Sequence, residues 1–219
     1  MSELDLSSIL QIVAISAIPV LFAIALHEVA HGWVANYFGD NTAASLGRLS
    51  VNPFKHIDPI GTVLVPIVMI ATVGVAFGWA KPVPVDWRNL RNPRRDMVYV
   101  AAAGPAANLL MALFWGLMLK LASLLLGGSQ FAQPLILMAQ IGIMINLVLF
   151  TLNLIPIPPL DGGRIAVGLL PPNLAQPLAR VEPFGFFILI ALLVSGLLHW
   201  GLMPIVEKLT GFILFMTGS

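Results

Sequence analysis

From Ile9 to Leu26 the chain carries no charged side chain, and the run ends directly in His27-Glu28-Val29-Ala30-His31. At ~1.5 Å per residue such a run covers about 27 Å as a helix, close to the ~30 Å hydrocarbon thickness of a bilayer. Lipid offers no partners to backbone N–H and C=O groups, so a segment of this kind must be helical. On that helix two histidines four residues apart project from one face and can share a metal ion, with the glutamate between them placed to activate a water. Ionisable groups at such depth are costly and mark functional sites. The opening of the chain therefore predicts a metal centre inside a membrane.

Composition supports the membrane and narrows the metal. With 58% hydrophobic residues, 10% charged residues and a mean hydropathy of +0.94, the chain is excluded from ordinary soluble domains. With only four histidines available, the five-residue motif would arise by chance in about one chain per thousand of this composition. A structural zinc site normally closes four protein ligands, often cysteines, and this chain has no Cys. A catalytic zinc, one per chain, is the better expectation. The net charge of +1 suggests no nucleic-acid partner. The first apolar run is not expected to be a removable leader, since its loss would destroy the motif.

The pattern predicts an all-α polytopic membrane protein with five to six transmembrane helices and a short β or re-entrant element after the first. Ser7 or Ser8 can cap a helix from about Ile9 to Phe38 that stops at Gly39. Residues 44–51 partly alternate and suggest a short strand. Residues 59–78 are apolar, broken by Pro66 and Gly74, and a basic Pro-rich loop follows from Lys81 to Asp96. Further helices are expected over about Met97–Leu126, from Pro134 to Leu152, as a short piece to Leu170, from Phe184 to His199 and from Met203 to Met216. The whole of 1–219 reads as one membrane-embedded domain with its core at 9–170 and C-terminal helices at 184–216. Nine of the eleven Lys and Arg fall in 39–58, 79–96 and 161–180. The positive-inside rule then puts those stretches in the cytoplasm and the N-terminus outside, with Lys120 snorkelling at the outer face of a multi-pass protein of the cell membrane. Residues 59–78 would start and finish on one side, as a re-entrant segment.

Catalytic zinc needs a third protein ligand and an open position. His56 falls in a polar loop and is expected to be solvated, His199 sits beside Trp200 at an outer interface, and Asp58 reads as a helix cap. Asp161 follows a helix that opens near Pro134, whose ~20 residues bring the chain about 30 Å across the bilayer. That is the depth His27 reaches from the same side, so ligation outweighs a plain Asp-Gly-Gly turn.

The pair formed by His27-Glu28-Val29-Ala30-His31 and Asn153-Leu154-Ile155-Pro156-Ile157-Pro158-Pro159-Leu160-Asp161-Gly162-Gly163-Arg164 resembles the motifs of the site-2 protease family of intramembrane zinc metalloproteases. Gly47-Arg48-Leu49 and Ala103-Gly104-Pro105-Ala106-Ala107-Asn108 resemble elements of that family's bacterial branch. The resemblance covers roughly residues 9–170, without a PDZ or CBS domain. It implies hydrolysis of peptide bonds within or near transmembrane segments of membrane-protein substrates, and the basic residues put that site near the cytoplasmic side. His27, His31 and Asp161 would bind zinc, and Glu28 would be the general base. Asn153 would contact the substrate backbone or oxyanion, or else cap its own helix. Asn108 would pack helices or orient a ligand. A strand at 44–51 would offer an edge to an unwound substrate segment. The alternative, a membrane zinc-binding or transport protein without proteolytic activity, leaves Glu28 unexplained and would commonly bring an inverted repeat, of which the sequence has no trace.

Overall fold

The structure is a computed structural model describing residues 6–73, 78, 80–127 and 129–218. The first helix, α1 (Leu6–Tyr37), holds the predicted run and the metal motif on one rod. It passes through Ser7 and Ser8, so neither is its cap. Gly39 ends it with a φ of +111°, a left-handed conformation that a side chain would strain. The short α2 (Thr42–Ser45) follows, then a 3-10 turn (Pro53–His56), a π-helical stretch (Pro59–Leu64) and α3 (Val65–Val73). Next come α4 (Pro93–Leu125), opened by a proline at its first position, and α5 (Ala132–Asn153). The chain closes with α6 (Asp161–Leu169), α7 (Pro172–Ala179), α8 (Glu182–Val194) and α9 (Leu197–Thr217).

Among the described residues, four helices (Val13–Tyr37 within α1, then α4, α5 and α9) are long and apolar enough to cross a membrane. A fifth would arise if α7 and α8, bent by 67° at their junction, formed one span. This is a multi-pass membrane protein, and its many exposed Leu, Phe and Ile side chains face the solvent that lipid provides. Inside the bundle, contact depends on small residues. A Cβ on Gly142 would lie 2.3 Å from Trp115, and one on Gly116 would lie 2.8 Å from Ile213. Ala112, Leu119, Ile143, Leu147, Val206 and Ile213 join α4, α5 and α9 in one core.

The α1 and α4 ends that flank residues 40–92 are tied together. Arg91 N donates to the Phe38 carbonyl at 3.0 Å, and the Asn89 amide donates to Asp40 at 3.1 Å. Buried Asp40 also accepts from the Asp86 N–H at 2.8 Å and from Thr42. Burial raises its carboxyl, but donation from Thr42, Asn89 and Asp86 brings it below the ordinary aspartate value. Further along, Lys81 N donates to the His56 carbonyl at 2.9 Å, so the two flanks of the stretch between them meet at one point.

Several expectations are corrected. No strand occurs among the described residues, and 44–51 begins inside α2 and turns at Gly47, whose φ is +62°. Its partial alternation had no neighbouring strand to pair with, and Arg48 instead holds the loop by donating to the carbonyls of Lys55, Lys81 and Pro82. Gly74, one of the two bend points read in the sequence, lies outside the described residues. His56 is buried rather than solvated, with Nε2 against the Ser50 carbonyl at 2.8 Å. Asp58 does cap, accepting from Ile60 N and Gly61 N.

The expected span from Phe184 to His199 breaks at Gly196, where φ is +75°. Both ends of the resulting α8 lie near the end of α5. Gly185 packs so closely on Pro158 that a Cβ would sit 1.8 Å from its carbonyl oxygen, and Leu193 shares a cleft with Asn153 and Leu160. His199 lines that cleft too, at the end of the bundle opposite the one expected. α9 then runs alongside α4 in the same direction, since Gly218 at its end adjoins the Lys120 ammonium and Ile213 adjoins Gly116.

Candidate metal centre

His27 and His31 meet edge to face one turn apart on α1, with ring centroids 4.6 Å apart and planes at 85°. Each ring is oriented by its Nδ1. His31 Nδ1 lies 2.7 Å from the Val100 carbonyl, which can only accept, so this nitrogen carries the proton. His27 Nδ1 lies 2.6 Å from Asn108 Oδ1, and the Asn108 amide nitrogen donates to the Ala23 carbonyl at 3.2 Å. That second contact turns the amide so that its oxygen faces His27. A neutral imidazole that keeps its proton on Nδ1 and donates it in a hydrogen bond has a bare lone pair on Nε2.

The two Nε2 atoms are 3.0 Å apart. Asp161 Oδ2 lies 3.2 Å from one and 3.3 Å from the other, buried and without a hydrogen-bond partner. Three acceptors thus converge on one point, an arrangement that is repulsive unless a cation sits among them. Two imidazole nitrogens and one carboxylate oxygen are a donor set that suits zinc and leaves a position open. Zinc would be held by His27, His31 and Asp161, the one group of three metal-binding side chains found among the described residues.

The local sequence explains why these groups can meet. Gly104 on α4 backs the two rings: a Cβ there would lie 2.3 Å from His31 Nε2 and 2.6 Å from His27 Cε1. Asp161 is the first residue of α6, and the two glycines after it let that helix seat on the proline-rich loop. A Cβ on Gly162 would strike the Leu154 carbonyl at 2.4 Å, and one on Gly163 would lie 2.2 Å from Pro158 N. In Asp-Gly-Gly the glycines are therefore a packing requirement rather than a turn signal.

Glu28 lines the same cavity, of about 330 Å³, with His27, His31, Asn153 and Asp161. Its Oε2 accepts from the Val83 N–H at 2.8 Å. Pro82, Val83, Val85 and Trp87 form a wall of this cavity that the sequence reading missed, because an irregular Pro-Val stretch carries no periodic signal. Arg164 also lines it, stacked over Trp87 at 4.9 Å and 3.2 Å from Glu182. Asn153 faces the cavity while its amide donates to the Leu149 carbonyl of its own helix at 3.0 Å. Through Asn153 and Pro159 the cavity adjoins an apolar cleft of about 680 Å³ walled by α5, α8 and α9. His56 and His199 lie outside the metal group.

Residues 116–196 match the model of peptidase family M50. The chain is 40% identical over 192 residues to YwhC of Bacillus subtilis (strain 168), named as a candidate zinc metalloprotease, covering 87% of this chain and 84% of that one. It is 32% identical over 185 residues to Rip2 of Mycolicibacterium smegmatis, another candidate zinc metalloprotease by name, covering 82% of this chain and 66% of that one. The Rip2 of Mycobacterium tuberculosis (strain H37Rv) is 30% identical over 181 residues, with the same coverage of 82% and 66%. No solved structure matches the chain significantly.

Proposed function

We propose a division of labour for this chain, which belongs to peptidase family M50, the site-2 proteases, and is an intramembrane zinc metalloprotease: His27, His31 and Asp161 hold the ion, and Glu28 is the general base. The observation that carries this reading is the convergence of three buried acceptor atoms beside a carboxylate in one cavity. When bound, zinc supplies a Lewis acid that polarises the scissile carbonyl and lowers the pKa of a coordinated water towards ~7. The Val83 N–H anchors one oxygen of Glu28, which leaves the other to face the cavity. That oxygen takes a proton from the attacking water and returns it to the departing amine as the C–N bond breaks. Asn108 and the Val100 carbonyl hold the two imidazoles against rotation throughout. Asn153, already engaged with its own helix, keeps its side-chain oxygen for a backbone N–H of the substrate.

The substrate is a transmembrane segment of another protein, locally unwound so that its carbonyls are exposed. The apolar cleft that shares Asn153 and Pro159 with the metal cavity supports entry from the lipid side. Residues 1–219 work as one membrane-embedded protease domain, its core at 9–170 and α8 and α9 packed at its side. The N-terminus lies outside, the metal centre lies towards the cytoplasm, and residues 59–78 re-enter on the side they left. The bonds from Arg91 to Phe38, from Asn89 to Asp40 and from Lys81 to His56 support the re-entry, because they join both flanks of the excursion; the basic residues of 39–58, 79–96 and 161–180 support the orientation.

Glu28→Gln tests the chemical assignment. The amide keeps the shape and a hydrogen-bonding oxygen but cannot take the proton, so cleavage of a model single-span substrate should stop while zinc stays bound. Continued cleavage by this variant would remove Glu28 from its assigned role.

A further inference from the structure

Asn146 on α5 takes no part in the donor set or the cavity, yet it is fully buried in a helix interior, where an amide is costly unless it is used. Its side-chain nitrogen donates to the Gly142 carbonyl of its own helix at 2.8 Å. That carbonyl can only accept, so the orientation of the Asn146 amide is set, and its Oδ1 points across to α4. There it accepts from the Asn108 amide nitrogen at 2.9 Å. Asn108 is also fully buried, and its nitrogen is thereby committed twice, to Asn146 Oδ1 and to the Ala23 carbonyl. Its oxygen has one direction left, towards His27 Nδ1 at 2.6 Å. Reversing either amide would set two oxygens against each other at these distances, at the Gly142 carbonyl for Asn146 and at the Ala23 carbonyl for Asn108.

We propose that Asn146 is a positioning residue of the metal centre: through Asn108 it holds His27 in the tautomer that carries its proton on Nδ1 and presents a bare Nε2 to the ion. The relay runs from α5 through α4 to α1, so it also makes the metal site depend on the packing of all three helices. Without Asn146, only the 3.2 Å contact to Ala23 opposes reversal of the Asn108 amide. A reversed amide would donate to Nδ1 and move the histidine proton to Nε2, where it competes with the ion. This inference rests on zinc being held by His27, His31 and Asp161.

The test uses the purified full-length protein in detergent and two variants. Asn146→Leu keeps the volume and removes the acceptor. Asn146→Asp in its neutral form keeps both functions, with an O–H for the Gly142 carbonyl and a C=O for Asn108. Zinc affinity, measured by competition with a chelator, should fall ~10–100-fold in Asn146→Leu, the range for loss of an outer-shell partner, and return most of the way in Asn146→Asp. In zinc-free protein, ¹⁵N spectra of the histidine rings should show His27 protonated on Nδ1 in the wild type and a mixture of tautomers in Asn146→Leu. A change in packing alone would not move that signal. If the leucine variant fails to fold, Asn146→Met takes its place. Zinc affinity within about twofold of wild type in Asn146→Leu, or equal losses in the leucine and aspartate variants, would overturn the relay. A wild-type protein that binds no zinc would instead fault the ligand assignment, and the tautomer of His27 in the zinc-free protein would still decide on Asn146.

Discussion

Gly104→Ala is the smallest change that should disable the metal centre without touching a ligand. The added methyl would stand 2.3 Å from His31 Nε2, 2.5 Å from His31 Cε1 and 2.6 Å from His27 Cε1. Those distances are about 1 Å inside the ~3.5 Å at which carbon contacts become favourable. Neither ring can swing away freely, because His27 Nδ1 is tied to Asn108 and His31 Nδ1 to the Val100 carbonyl. For the fold, two effects oppose each other. Alanine favours a helix interior by about 0.8–1 kcal/mol over glycine, while overpacking costs about 1–3 kcal/mol. The net change in stability is therefore a loss of about 0–2 kcal/mol. For the metal the effects do not oppose, since displaced rings no longer aim both Nε2 atoms at one point. Zinc affinity should drop by at least the ~10–100-fold seen when ligand orientation is lost, or about 1.4–2.7 kcal/mol. Chelator competition on the purified variant measures this, with thermal unfolding in detergent as the control for folding. Gly211→Ala is the matched comparison, a helical glycine whose Cβ would meet nothing within 4 Å, and it should leave zinc affinity unchanged. A Gly104→Ala protein that binds zinc as tightly as wild type would refute the reasoning.

Asp161→Ala should lower zinc content well below one ion per chain by removing one of three donors; full occupancy by elemental analysis would take Asp161 out of the ligand set. Asp40→Asn should destabilise the fold by about 1.5–3 kcal/mol, because an amide cannot accept from Thr42, Asn89 and Asp86 together. The folded Asp40 carboxyl titrates below its ordinary value, so its contribution is complete above about pH 4 and fades as the pH falls through the folded value. Unfolding measured against pH should show the gap between wild type and Asp40→Asn closing in acid, and a constant gap would mean the charge is not what stabilises. In this Cys-free chain, single cysteines at Asn41 and Arg88 should both resist an impermeant thiol reagent in intact cells, while one at Ser129 should react. Labelling of position 88 but not 41 would make residues 59–78 a true span.

The sequence alone determined most of the helical rods and half of the candidate metal centre. A charge-free run of bilayer length leaves the backbone no alternative to helix, and spacing by four puts His27 and His31 on one face whatever else the chain does. That Asp161 would lie beside the two histidines was also legible, because helix length converts residue number into depth when a membrane supplies the ruler. Where that ruler failed, its assumption failed: the run from Phe184 to His199 is not one straight rod but breaks at Gly196, so His199 turns back to the cleft beside Asn153. The strand expected at 44–51 failed for a related reason, since alternation becomes a strand only when another strand is there to pair with. Tertiary structure alone decided which groups hold the ligands. Val83 reaches Glu28 from 55 positions away, Val100 reaches His31 from 69, and Asn108 reaches His27 from 81. Two of these partners act through backbone groups, which every residue possesses and no sequence pattern marks. The third is an asparagine whose amide orientation is set by carbonyls on other helices, so its role exists only once those helices have packed.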